Sequence, residues 1–149
     1  MRIIKISIII LLVTFVGIQF IPKTRNQSKI VLKSDFLSVN KVPKTLERKI
    51  RVSCYDCHSN NTEYPWYNKI QLISWYLEKH VEEGKYELNF NEWGNYSSRK
   101  KRSKLRSIKS QIENDKMPLS SYTLLHREAI LNEEEKQMFL AWLDTLDIP

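Results

Sequence analysis

Cys54 and Cys57, the chain's two cysteines, stand two residues apart, and His58 follows the second directly. With two cysteines and three histidines in 149 residues, chance would give C-x-x-C-H on the order of 3 times in 10,000. The rest of the chain gives this triplet unusual weight. After residue 21 its apolar runs are short and its polar connections long, and the whole chain has only three glycines. The core such a chain can build is thin, so a group held by the triplet is expected to organise the fold.

Three chemistries compete for the motif. A c-type haem needs two thiols spaced to meet the two vinyl groups of one porphyrin, with an imidazole beside them to reach the iron. Cys54, Cys57 and His58 supply all three. A thiol-disulfide oxidoreductase needs the dithiol at a helix N-terminus after a strand, within a βαβ frame. No stretch here alternates with period two, and no βαβ pattern is visible. A zinc site needs two further ligands, and the other histidines, His80 and His126, lie at spacings that match no compact knuckle. A disulfide closing so small a ring would be strained.

Export is the second requirement of covalent haem attachment, and the N-terminus meets it. Arg2 and Lys5 precede an almost unbroken aliphatic run from Ile6 to Phe20. No polar face interrupts it, and no alternating pair of small residues marks a cleavage site. Residues 1–21 therefore read as an uncleaved signal anchor in the inner membrane, with the remaining chain in the periplasm. Residues 22–43, polar and carrying Pro22 and Pro43, read as a linker, and 44–149 as the domain. The net charge of +7 is concentrated at the front. Residues 1–33 hold six basic and no acidic side chains, leaving eighteen basic against seventeen acidic. That near-balance removes the electrostatic footprint of a nucleic-acid partner. The basic run Arg99–Arg106, with Leu105, Ile108 and Ile112 at helical spacing, reads first as a solvated helix face, and second as a docking surface for an acidic partner or lipid headgroups.

The fold class expected is all-α: three or four helices with long loops around one haem, preceded by the membrane helix. An entry helix covers about 44–52. A helix after Pro65 places Ile70, Ile73, Leu77 and Val81 on one face, with Gly84 as its stop. Ser97 or Ser98 caps the basic helix, which ends near Asn114. Asn132 to Glu135 resembles a capping box opening the last helix, on which Met138 reads as core. The aromatic residues Tyr64, Trp66, Tyr67, Trp75, Tyr76 and Trp93 are expected in the wall of the haem pocket.

An iron that passes electrons takes a sixth ligand, and Met117, His80, His126, Met138 and Met1 are the candidates. Met117 is favoured, because Pro118 holds its loop out of helix and lets it cross an open haem face. His80 is the alternative, either as a second imidazole or as a partner of a haem propionate. His126 reads as a loop-surface residue.

The stretches "CYDCHSNNTEYPWYNKIQLISWYLEKHVEEGKYELNFNEW" and "KMPLSSYTLLHREAILNEEEKQMFLAWL" resemble the bacterial haem-binding domain family, whose members look like small membrane-anchored monohaem c-type cytochromes. The likeness covers roughly residues 30–146 and rests on C-x-x-C-H-S-N, P-W-Y, H-V-x-x-G, N-F-x-x-W and M-P-L-x-x-Y. It implies thioether bonds from Cys54 and Cys57, His58 as the proximal iron ligand and Met117 as the distal one. The expected function is one-electron transfer by a single haem c, a carrier serving unidentified redox proteins rather than an enzyme. The alternatives are a haem-based sensor or peroxidase-like enzyme, and a C-x-x-C thiol-disulfide oxidoreductase.

Overall fold

The structure is a computed structural model and describes residues 1–30, 32–146 and 148. It is all-α, and among the described residues extended chain pairs only in one isolated bridge, Gln27 with Asn61.

Helix α1, Arg2–Ile18, is apolar on every side and exposed along nearly its whole length. Its 17 residues make a helix of about 26 Å at ~1.5 Å per residue. Among the described residues no helix is long and apolar enough to cross a membrane.

The segment expected as a linker is built into the domain. Asp35 caps α2 (Phe36–Val39) by accepting a hydrogen bond from Leu37 N. Phe36 is completely buried, with its ring 4.8 Å from Trp93, 5.0 Å from Phe90 and 5.7 Å from Trp142. A short polar stretch with one aromatic gives no periodic signal, and its place is set by partners more than fifty residues away.

Helix α3, Lys44–Ile50, continues without a break through a π-helical turn, Arg51–Tyr55, into α4, Asp56–His58. The cysteine motif therefore lies on the last turns of a helix rather than after one. Leu46, Ile50 and Tyr55 turn that helix to the core. A widened π turn is rare and is found disproportionately at functional sites.

After a 3₁₀ turn, Trp66–Lys69, helix α5 runs from Gln71 to Glu87. Gly84 does not stop it. A Cβ on Gly84 would stand 2.7 Å from the Cys57 carbonyl oxygen, so this glycine is there to let α5 approach the motif helix. The buried face of α5 also differs from the aliphatic stripe expected. Gln71, Ser74 and Val81 are buried, while Ile73 is exposed and Ile70 and Leu77 are half-buried.

A 3₁₀ turn, Phe90–Asn95, drives Trp93 into the core. Ser97 caps α6, Ser98–Glu113, whose Leu105 and Ile112 are buried and whose basic side faces water. The short α7, Ser120–Thr123, and a 3₁₀ turn, Arg127–Ala129, occupy what the sequence suggested was loop. Asn132 and Glu135 form the capping box of α8, Glu133–Asp144. Phe139 and Leu143 pack inward there, whereas Met138, expected in the core, is exposed. The chain thus has more helical pieces than the three or four expected, because turns of three to six residues are too short to show a 3.6 period.

The Gly84 contact makes a testable difference between two helical glycines. Gly84→Ala should lower stability by about 1–3 kcal/mol, the usual cost of overpacking. Gly17→Ala, with nothing within 4 Å of its added methyl, should leave thermal unfolding of the domain unchanged. Melting curves of the two variants against the parent would check both.

Candidate functional site

The helical conformation of 44–58 brings the motif together. Cys54, Cys57 and His58 fall at i, i+3 and i+4, the spacing that places side chains on one helix face. The helix ends immediately afterwards, since Ser59 is extended at φ −137°, ψ 176°.

His58 is held by α5. Its Nδ1 lies 2.8 Å from the Gly84 carbonyl oxygen and 3.1 Å from that of Leu88. Both partners only accept, so Nδ1 carries the proton and Nε2 presents a free lone pair. Burial lowers the pKa of the ring, against the two carbonyls, which raise it. A neutral imidazole with one nitrogen tied to the backbone and the other free is the state a metal ligand requires.

The thiols have the opposite character to a redox dithiol. Burial, reinforced by the neighbouring Cys57, pushes Cys54 up to about 12. Burial, reinforced by the Asp56 carboxylate, pushes Cys57 up to about 11. A nucleophilic C-x-x-C depends on a thiol lowered towards neutrality.

Two adjoining hollows of about 280 and 300 Å³ open beside the motif. Ser53, Cys54, His58, Glu87, Met117 and Pro118 border both. Together they reach the size of a cofactor site, for which ~300–1,000 Å³ is usual. Ile108 and Ile112 of α6, with Phe90 and Leu131, wall the first. Tyr122, His80 and Gly84 wall the second. A flat apolar macrocycle fits this donor set: two thiols and an imidazole on one side, a thioether on the border of both hollows, and aliphatic walls. Glu87 and Lys104, 3.6 Å apart, form a charged edge.

Cys54, Cys57, His58 and Met117 are therefore brought to one cleft. Met117 is half-buried in the connection after α6, where the Lys116 and Met117 amides both donate to Gln111 O. His80 borders the second hollow only, and its Nδ1 is 2.9 Å from Tyr76 O on its own helix. His126 is not a loop-surface residue. Its Nε2 lies 2.7 Å from the Tyr67 hydroxyl and its ring stacks 4.3 Å from Tyr122. Of the six aromatics expected in the pocket wall, none borders the two hollows. Trp93 is in the core, while Trp66, Trp75 and Tyr76 are exposed.

Sequence reasoning missed the residues that fix the motif. Asn91 accepts from Asn60 N at 2.6 Å and donates to Asp35 Oδ2 at 2.7 Å. Asn89 donates to Asn60 Oδ1 at 2.9 Å, and the Tyr55 hydroxyl donates to Asp35. Asp56 accepts from Glu63 N and from the Tyr122 hydroxyl at 2.7 Å. Burial raises the Asp56 pKa, and these two bonds pull it back. Asn60 and Asn89 stood in the C-x-x-C-H-S-N and N-F-x-x-W stretches, and that was the signal available, since buried polar residues are usually hydrogen-bonded.

The haem-binding domain family matches the chain over residues 13–145. No curated protein and no solved structure matches it. The match takes in the motif, the carbonyls that hold His58 and the loop bearing Met117, and the chain belongs to the haem-binding domain family.

Proposed function

We propose that the chain carries one haem c, bound through thioether bonds from Cys54 and Cys57, and passes single electrons at the periplasmic face of the inner membrane. One observation carries this reading: both thiols, the free Nε2 side of a backbone-pinned imidazole and a methionine meet at a single cleft. Haem supplies a one-electron iron couple whose potential depends on the axial ligands and on burial.

The chain's own residues supply the rest. Gly84 and Leu88 fix the orientation and tautomer of His58. Ile108, Ile112 and Leu131 exclude water from one side of the cleft. Met117 serves as the distal ligand in this reading, because it borders both hollows and its loop can approach without disturbing a helix. His80 borders one hollow only and its Nδ1 is bonded to Tyr76 O on its own helix, which makes it the second choice. A six-coordinate iron favours an electron carrier over a sensor or peroxidase-like enzyme, which needs an open or displaceable position. The protonated, packed thiols count against the oxidoreductase reading.

The apolar, all-round exposed α1 supports anchoring by residues 1–21, and export is what covalent haem attachment requires. α1 alone, at 17 residues, is too short to cross a bilayer, so the anchor proposed here includes the apolar residues Phe20 and Ile21 that follow it.

Protein matured in a host competent for cytochrome c assembly should gain the mass of one haem that survives denaturation. Cys57→Ala should leave a single thioether link, visible in the pyridine haemochrome spectrum. A mass equal to the bare polypeptide sinks the proposal. In the ferric protein the long-wavelength charge-transfer band of an iron–thioether bond should be present, and Met117→Ala should abolish it and leave a high-spin spectrum. If His80→Ala does this instead, His80 is the distal ligand. Membranes washed in alkaline carbonate should retain the protein, and release into the wash would remove the anchor.

A further inference from the structure

The first turns of α5 are inside out. Gln71 and Ser74 are each 1% exposed, while Leu72, Trp75 and Tyr76 are 53%, 45% and 57% exposed. Leu72, Trp75, Tyr76 and Lys79 fall at i, i+3, i+4 and i+7, so they share one face. A helix on a water-facing surface shows the reverse pattern. Contiguous exposed apolar surface of this kind marks contact with a partner or a membrane.

The location of this face identifies what covers it. The end of α1 is joined to the start of α5: Gln19 Oε1 accepts from Gln71 N at 2.9 Å. Four residues on, Lys23 Nζ donates to Asn68 O at 2.6 Å. Phe20, Ile21 and Trp66 are exposed around the same junction, Phe20 at 82% and Trp66 at 76%. Cationic Lys23 and Lys69 flank it, while Arg25 lies further along α5 beside Tyr64, Glu78 and Glu82. Tryptophan and tyrosine with flanking Lys and Arg are the composition of a membrane–water interface.

We propose that this face, formed by Phe20, Trp66, Leu72, Trp75 and Tyr76, lies in the headgroup layer of an anionic bilayer and presses the haem domain flat against the membrane. The inference rests on the reading of α1 as membrane-inserted. A helix of about 26 Å falls short of the ~30 Å hydrocarbon core, and a short span draws its flanking residues into the interface. Docking here also fixes the outlook of the haem. An apolar groove of about 350 Å³, lined by Trp66, Ile73, Tyr76, His80 and Leu125, runs from this face to Cys57. The Cys57 side of the cleft would thereby be turned toward the bilayer, and the α6 side toward the aqueous phase.

The test uses the full haem-loaded chain in vesicles of phosphatidylcholine and phosphatidylglycerol. The photoreactive residue p-benzoylphenylalanine is placed in turn at Trp66, Trp75, Leu12 and Tyr86. Tyr86, exposed near the far end of α5, is the control for random collision, and Leu72 replaces any site at which the haem spectrum changes. Lipid adducts at Trp66 and Trp75 should exceed those at Tyr86 several-fold. Equal yields at the three sites, with strong adducts at Leu12, would overturn the docking face and leave the anchor standing. Adducts at Trp66 and Trp75 but none at Leu12 would support the face and remove the inserted α1. Adducts to a second copy of the chain in place of lipid would overturn the proposal and make the face an interface between copies.

Discussion

The site depends on how closely α5 approaches the motif helix, and Gly84 sets that distance. With no side chain at Gly84, α5 can lie against Cys57, and this brings the Gly84 and Leu88 carbonyls within 2.8 and 3.1 Å of His58 Nδ1. The two carbonyls do more than position a ring. They fix its tautomer, keep the proton on the nitrogen that faces the protein and leave the other lone pair for a metal. One absent methyl group thus links helix packing to ligand chemistry. A bulkier residue would separate the helices by a few tenths of an ångström at least, which is enough to lose a well-made hydrogen bond.

Around this contact the fold is held by two different kinds of interaction. Phe36, Phe90, Trp93 and Phe139 form an apolar centre, the first three in ring contact. Beside it, Asp35, Tyr55, Asn60, Asn89 and Asn91 form a buried or half-buried polar set in which side chains replace secondary structure as partners for the chain after His58. Hydrogen bonds to a charged group contribute roughly 1.5–3 kcal/mol each, and an orphaned buried partner costs about as much. Such a set tolerates little change. It gives a loop the fixed geometry that a helix would obtain from its own backbone.

Some of this was legible in the sequence and some was not, for physical reasons. C-x-x-C-H pointed to haem because thiol spacing and imidazole adjacency are local, and the family match shows the haem-binding part of that reading. The caps at Ser97 and Asn132 were readable because they are local. Gly84 was misread as a helix stop, since a glycine kept for close approach and one kept for a left-handed turn look alike in sequence. Phe36, Tyr55 and Asn91 were missed as structural residues because their partners are twenty or more positions away. The aromatic residues after the motif were expected around the haem, whereas several face outward. Residue type tells that they are apolar, but not which way they face.

The two positions between the cysteines show how much the motif helix organises besides the haem. Tyr55 points inward to Asp35 and stacks on Phe90 at 5.1 Å. Asp56 reaches the opposite way to Tyr122 in α7, and Ser53 Oγ donates to Ala129 O at 2.9 Å. Lys49, a turn earlier, donates to Glu128 O. The segment that carries Met117 is therefore fastened at its far end to the same helix that carries His58. The two walls of the cleft are thus both tied to the motif helix, beside the ties that α5 makes to His58 and α6 to the Met117 loop. In the proposed electron carrier, such cross-ties would limit how far the two sides of the cleft move when an iron held there changes charge.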